Sequence, residues 1–151
     1  MEKFGPDFYD VAEVFDTYMT HRARDESPNE TIEQPILWKL IGDVRGLKVL
    51  DLGCGDARVS RKFKALGAQC YLGVEGSKRM VEKAQGNVDN TFSTVTESWL
   101  ETYEPPAQKF DLIVSSLVFH YIDNLSALLD KAYRALKPGG RIVFSTASKP
   151  D

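Results

Sequence analysis

The sequence predicts an α/β fold: a three-layer, doubly wound domain built around a mainly parallel sheet. From residue 47 onward, short apolar runs alternate with stretches of helical periodicity, and strands that alternate with helices form βαβ units. The apolar runs are nearly continuous, as expected for strands that helices cover on both faces. A glycine-rich turn follows the first run directly, which is typical of the passage from a strand into a helix.

Each strand is predicted from a short apolar run bounded by turn residues. The run "NTFSTV" is the weakest of them, and "KFDLIVSS" is the strongest. Cys70 lies inside the second run and is expected to be buried. The five predicted strands span residues 47–52, 68–75, 90–95, 109–116 and 141–147.

The helices between the strands are predicted where apolar residues recur every three or four positions. Ser77 is a candidate N-cap, and Gly67 is a candidate C-terminal stop. Trp38 and Trp99 lie on apolar faces and are expected in the core. The predicted helices span residues 56–66, 77–85 and 125–137, and the sequence "PGG" forms a turn before the last strand.

Two more helices are predicted before the sheet. One covers residues 8–19, and the other covers 32–44, with Thr31 as its cap and Pro35 in its first turn, where proline is tolerated. We therefore expect one structural domain in two parts: N-terminal helices in residues 1–45 that cover a ligand site, and an α/β core in residues 46–151 that binds the ligand.

Composition excludes several classes of protein. The chain has 151 residues, enough for one core, and a net charge of −3 argues against nucleic acid as a partner. Apolar runs stay well short of 18 residues, so no membrane partner is expected, and the first residues lack the features of a signal peptide. The two cysteines have no metal-site spacing, which predicts a cytoplasmic, reduced protein without a metal.

The stretch "KVLDLGCGDARVS" carries the chemistry. Gly53 and Gly55 lie where the first strand ends, and ligands of parallel sheets bind outside those ends. Glycine allows a ligand close to the main chain, and we expect the helix that follows to present free N–H groups. Glu75 ends the second strand, where an acid can accept both hydroxyls of a ribose. A nucleoside-containing cofactor is therefore favoured over a plain tight turn.

The identity of that cofactor depends on two residues. The dinucleotide fingerprint needs a third glycine where this chain has Arg58. Asp51 precedes the glycines and is unfavourable beside a pyrophosphate, whereas it suits a cation. S-adenosylmethionine carries an ammonium and a sulfonium and has no phosphate, so it fits this stretch better than NAD.

Four motifs in order resemble the class I S-adenosylmethionine-dependent methyltransferases of the Rossmann-like type, in their small-molecule branch. The resemblance covers roughly residues 46–148: "VLDLGCGDAR", with Ala57 in place of the third glycine of the family's GxGxG, "YLGVEGSKRMVEKA", "FDLIVSSLVFHYIDN" and "ALKPGGRIVFST". It implies methyl transfer from S-adenosylmethionine to a small-molecule acceptor by in-line displacement.

The resemblance also implies a set of cofactor contacts. An acid after the third strand often binds the adenine amino group in this family, and Thr96, Glu97 and Ser98 are the candidates here. Arg22, in an N-terminal segment, is a candidate partner of the methionine carboxylate, with a solvated charge run as the alternative. The predicted cofactor-binding residues are Tyr18, Arg22, Asp51, Gly53, Cys54, Gly55, Glu75, Gly76, Ser77, Met80, Thr96, Glu97, Ser98, Ser115 and Val118.

Residues after the fourth strand are candidates for the methyl-transfer centre. His120 is a candidate base for an oxygen or nitrogen nucleophile, and Tyr121 is a candidate aromatic neighbour of the sulfonium. For His120 the alternative is that it only packs or caps the next helix, and for Tyr121 the alternative is a place in the core.

The family fold usually has seven strands, and this sequence ends after the fifth, so we expect two strands to be lacking. The edge at residues 141–146 would then be uncovered, which predicts a homodimer through that edge. Two other functions stay open: a cofactor-binding module without turnover, and a NAD-dependent oxidoreductase on the same architecture.

Overall fold

The computed structural model describes residues 33–147. The predicted helix at 8–19, the Thr31 cap, Tyr18 and Arg22 lie outside the described residues. Helix α1, Gln34–Ile41, begins with Pro35 in its first turn, as the sequence predicts. Among the described residues, no helix has both the length and the apolar character needed to cross a membrane.

A five-stranded sheet forms the centre of the molecule and confirms the predicted α/β fold. Its strands are β1 (Lys48–Leu52), β2 (Cys70–Glu75), β3 (Ser93–Glu97), β4 (Phe110–Ser116) and β5 (Leu136–Ser145). Their order is β3-β2-β1-β4-β5, and every neighbouring pair is parallel. The strand order reverses between β1 and β4, and ligands of such sheets bind outside the carboxyl ends of the strands at this point.

Helices cover both faces of the sheet, which makes the domain three-layered. Helices α1, α2 (Ser60–Ala65) and α3 (Lys78–Ala84) contribute apolar side chains to one buried cluster, with Val49 and Leu112 from the sheet. Helix α4 (Leu125–Ala135) packs on the opposite face, against Leu50 and Ile113. Neighbouring residues of β1 thus face opposite layers, as the alternation of a strand requires.

Two predicted boundaries shift for identifiable reasons. Helix α2 begins at Ser60 instead of residue 56, because Ala57 has a φ of +56° and ends the regular backbone there. The "PGG" sequence lies inside β5, where the pairing of β5 with β4 slips between Phe110 and Leu112. The turn residues therefore form an irregularity in a longer strand.

Two burial predictions are wrong. Trp99 is 39% exposed, because it follows β3 at the edge of the sheet. Cys70 is only partly buried, since it is the first residue of its strand. Trp38 does pack against the core, where its ring lies 4.8 Å from the ring of Phe63.

Candidate functional site

The turn after β1 depends on residues with left-handed backbone. Gly53 and Gly55 have φ values of +82° and +58°. A Cβ on Gly53 would lie 2.5 Å from a methyl carbon of Val118, so the position excludes any side chain. The same contact shows that the segment after β4 meets the turn after β1 at the point where the strand order reverses.

The N–H groups of this turn point back into the protein. Gly53 and Cys54 both donate to the carbonyl of Val74, at 2.8 and 3.0 Å. Gly55 donates to Glu75 Oε1 at 2.9 Å. These three N–H groups are therefore not available to a ligand. The sequence predicts free N–H groups at the start of the helix that follows, and that prediction is wrong for Ser60 and Arg61, which donate to backbone carbonyls.

Glu75 joins two segments at the carboxyl end of β2. Its Oε1 accepts from Gly55 N, and its Oε2 accepts from Ser77 N at 2.9 Å. The residue is only 9% exposed. Two backbone donors, one on each carboxylate oxygen, therefore hold the Glu75 side chain in one orientation.

Asp51 lies one strand away, on the face of β1 that packs against α1–α3. It is 5% exposed, and Tyr71 donates its hydroxyl to Asp51 Oδ2 at 2.5 Å. Sequence reasoning missed Tyr71. The sequence could have indicated it, because Tyr71 carries a hydroxyl, precedes Gly73 by two positions and lies in the predicted strand that follows that of Asp51.

The site is electronegative around Cys54. Burial raises the pKa of the Cys54 thiol well above its usual range, and the charges of Asp51, Glu75 and Asp56 raise it further. The thiol therefore stays protonated and is a packing group. The carboxylates of Asp51 and Glu75 near this turn favour a cationic ligand over a pyrophosphate.

Arg58 does not occupy the crevice. Its guanidinium pairs with the carboxylate of Asp56 at 2.9 Å, and Asp56 is fully buried. The guanidinium of Arg58 therefore lies against the turn that precedes α2 and compensates the charge of the buried Asp56 carboxylate.

The loop between β2 and α3 supports the site. Ser77 caps α3, with its hydroxyl accepting from Met80 N at 3.3 Å, as the sequence predicts. Ser77 and Met80 are both buried, and Gly76 between Glu75 and Ser77 is partly exposed. Gly76 is thus the most exposed of these three residues, and the buried Ser77 and Met80 hold the loop between β2 and α3 in position.

The end of β3 adjoins Glu75. Glu97 pairs with Glu75 in the parallel register, so both side chains lie on the same face of the sheet. Thr96 lies on the opposite face, and Ser98 N donates to the carbonyl of Glu75 at 3.0 Å. Of the three adenine candidates, Glu97 is therefore the one that shares a face with the Glu75 carboxylate.

The end of β4 supplies buried and partly buried candidates. Ser115 is fully buried, and its hydroxyl donates to the carbonyl of Leu52 at 2.7 Å, which ties β4 to the end of β1. Val118 is partly exposed over Gly53. The geometry thus favours Val118 as a lining residue and Ser115 as a support.

His120 and Tyr121 lie in a short 3₁₀ helix, Phe119–Tyr121, and their rings are 4.1 Å apart. The N–H of Ala147 donates to His120 Nδ1 at 3.3 Å. Burial lowers the pKa of His120, so the ring is neutral near pH 7, and its proton then resides on Nε2. In this geometry His120 presents a donor, and it can accept a proton at Nδ1 only after that bond opens.

Comparison with known proteins shows the family to which the chain belongs. A family model described as a methyltransferase domain matches residues 15–151. A relative from Bradyrhizobium, named ubiquinone biosynthesis O-methyltransferase, is 30% identical over 118 residues, which is 74% of this chain and 44% of the relative. The chain spans about half the length of the curated relatives it matches.

Solved structures agree with that match. An S-adenosylmethionine-dependent methyltransferase from Mesorhizobium loti superposes with a TM-score of 0.73 at 36% identity, over 76% of this chain and 53% of that one. The Haemonchus contortus phosphoethanolamine N-methyltransferase 2, in complex with phosphomonomethylethanolamine and S-adenosylhomocysteine, superposes with a TM-score of 0.78 at 25% identity, over 95% of this chain and 36% of that one.

Proposed function

The chain belongs to the family of methyltransferase domains, and from this premise we propose that it binds S-adenosylmethionine and transfers its methyl group to a small-molecule acceptor. The observation that carries the proposal is the pair of buried carboxylates, Asp51 and Glu75, at the carboxyl ends of adjacent strands beside a glycine turn. A sugar and a cation are the two chemical groups that such a pair suits.

The residues present fit this cofactor. Glu75 is oriented by two backbone N–H groups and would hold the ribose hydroxyls. Asp51 would face the ammonium group, and Glu97 would lie toward the adenine, on the same face as Glu75. Val118, which packs directly against Gly53, would line the crevice between them.

S-adenosylmethionine would supply a methyl group bound to a sulfonium. A nucleophile of the acceptor would attack that methyl carbon in line with the breaking carbon–sulfur bond, and S-adenosylhomocysteine would leave. The protein's part is orientation, which contributes roughly 7–11 kcal/mol when reacting atoms are held about 3–3.5 Å apart. His120 and Tyr121, at the exit of β4, are the candidates beside the acceptor. The neutral His120 would orient an acceptor through Nε2–H, and it becomes a base if the Ala147 bond opens.

The proposal of a small-molecule acceptor is supported by the relatives. One is named for ubiquinone biosynthesis and another for phosphoethanolamine, which are both small-molecule acceptor classes. The oxidoreductase alternative is disfavoured by the family match and by the carboxylates near the turn, since a dinucleotide would bring its pyrophosphate there.

Calorimetric titration of the protein with S-adenosylhomocysteine and with NAD tests the cofactor. We expect binding of the first only. Glu75→Gln is the informative variant, because its amide oxygen keeps one of the two backbone donors, Gly55 N or Ser77 N, paired, whereas alanine would leave both without an acceptor. Loss of the charge-assisted bonds should weaken binding by about 1.5–3 kcal/mol.

A ligand control separates this effect from damage to the fold. The 2′-deoxy analogue of S-adenosylhomocysteine should bind wild type more weakly than the parent compound does, and Glu75→Gln should remove most of that difference. Equal preference for the two ligands in wild type would remove Glu75 from the ribose site. Turnover is then assayed by transfer of a labelled methyl group, and cofactor binding without any transfer would support the binding-module alternative.

A further inference from the structure

Tyr71 and Asp51 form a buried pair that the predicted site does not contain. Tyr71 is 1% exposed, and its hydroxyl donates to Asp51 Oδ2 at 2.5 Å. In the parallel register Tyr71 pairs with Val49, whereas Asp51 pairs with Gly73. Tyr71 therefore begins two residues below Asp51, and its ring must run along β2 to reach the carboxylate.

Gly73 makes that path possible. A Cβ at this position would lie 3.2 Å from Tyr71 Cε1 and 2.6 Å from the sulfur of Cys54. The absent side chain thus provides the space that the tyrosine ring and the Cys54 thiol fill. On its other side the ring packs near Phe63, with a centroid distance of 5.8 Å. The register of β2, the space beside Gly73 and the ring of Phe63 together determine where the Tyr71 hydroxyl lies.

The direction of the hydrogen bond is determined by burial. Desolvation and the neighbouring Asp51 charge raise the pKa of Tyr71 well above its usual range, so the hydroxyl keeps its proton and donates. A carboxylate has about four acceptor positions, and the Tyr71 hydroxyl occupies one of those of Asp51. A charge-assisted bond of this kind restricts the carboxylate to one orientation.

We propose that Tyr71 is a positioning residue that, with Gly73 giving it room, aims the Asp51 carboxylate at the ammonium group of the bound cofactor. The inference rests on the proposed function, because it assumes that Asp51 faces that ammonium. Tyr71 itself does not touch the ligand. Its contribution is to hold the Asp51 carboxylate rigid on β1, where the strand order reverses. The carboxylate then loses little conformational freedom when the cofactor binds.

The test compares two ligands on Tyr71→Phe, which keeps the ring and removes the donor. The ligands are S-adenosylhomocysteine and its deaminated analogue, in which hydrogen replaces the amino group. We expect about fivefold to tenfold weaker binding of the first, the size of one ordinary hydrogen bond, because Tyr71 acts on the ligand only through Asp51; we expect less than about twofold change for the second. Asp51→Asn should likewise lose the preference for the amino group.

A second variant and a control keep the test decisive. Asp51→Asn leaves the Tyr71 ring in place and should show the same selective loss even where Tyr71→Phe folds poorly, which urea denaturation of both variants detects. Leu128→Ala is the control for general loosening, because Leu128 is buried on the opposite face of the sheet, away from Tyr71; it should affect both ligands equally.

Each remaining outcome contradicts a distinct statement. Equal losses for both ligands in Tyr71→Phe would show a structural role only, and unchanged affinities would show no role, so either overturns the inference while the proposed function stands. Failure of wild type to bind S-adenosylhomocysteine at all overturns the proposed function, and this inference falls with it.

Discussion

At the residue scale, the site depends on buried polar atoms that are each satisfied by a specific partner. Glu75 accepts from two backbone N–H groups, Ser115 donates to Leu52, and Tyr71 donates to Asp51. Among the described residues, no buried side-chain nitrogen or oxygen lacks a hydrogen-bond partner. Since an unsatisfied buried group costs about 1–3 kcal/mol, this pairing keeps carboxylates inside the domain at acceptable cost.

Ala57 illustrates how one residue tolerates a glycine conformation. Its φ is +56°, and its methyl group is fully buried. Ala57→Gly would relieve about 1–2 kcal/mol of backbone strain but lose about 0.5–1 kcal/mol to chain entropy and about 0.8 kcal/mol of burial, so we expect a change in unfolding free energy within about 1 kcal/mol.

Ala57→Val is the contrasting variant, because a β-branched residue suits neither this φ nor a filled site. We expect it to lower the unfolding free energy by more than about 2 kcal/mol in urea denaturation. Equal effects of glycine and valine would show that the backbone conformation of Ala57 does not matter.

His120 predicts a pH dependence of stability. Burial lowers its folded pKa below the unfolded value of about 6.5, so the unfolded chain takes up the proton first as the pH falls. The stability that neutral His120 contributes is therefore present above about pH 6.5 and is lost as the pH falls from there toward the folded pKa. His120→Gln removes this titration.

Thermal melts of wild type and His120→Gln between about pH 8 and about pH 5 measure the effect. Wild type should lose stability relative to the variant on the acid side. A difference in melting temperature that stays constant across this range would contradict the lowered pKa.

At the element scale, both ends of α1 are fastened to the sheet. Glu33 precedes the helix and accepts from the hydroxyls of Ser116 and Ser145, at the ends of β4 and β5. At the other end, Arg141 on β5 donates to the carbonyls of Leu40 and Ile41. These carbonyls have no partner within a helix, so the guanidinium caps the helix and complements its dipole.

Arg141→Leu should therefore lower the unfolding free energy by about 1 kcal/mol, the scale of a capping contact at a partly exposed helix end. Urea denaturation measures it. Lys137→Leu is the matched control, since it also removes a cation from β5 but breaks only a 3.6 Å ion pair with Asp111 between partly exposed side chains, for which we expect less than about 0.5 kcal/mol. Arg141 has no special capping role if the two variants have the same midpoint.

At the scale of the whole molecule, the sheet leaves β5 with one neighbouring strand among the described residues. Phe144 on this strand is exposed, although its ring lies 4.9 Å from that of Phe119. An edge strand with exposed apolar side chains is a template for pairing with another chain. The homodimer through residues 141–146 thus stays a prediction with a physical basis.

Light scattering coupled to size exclusion, over a wide range of protein concentration, tests the dimer. We expect a dimer for wild type and weaker association for Phe144→Lys, which places a charge on the edge. Tyr133→Lys changes an exposed aromatic residue on α4 and should leave the mass unchanged. A monomer at every concentration, or equal effects of both variants, would exclude this edge as the interface.

The sequence by itself determined the α/β class, the strand at "KVLDL", the Ser77 cap and the acids at the two strand ends, because periodicity and turn residues act locally. Only the tertiary structure decided where the N–H groups of the glycine turn point, that Tyr71 reaches Asp51, and that the "PGG" residues lie within β5. Those features depend on which residues face each other on strands that are distant in the chain, and the pattern within one strand does not identify its partners on the next.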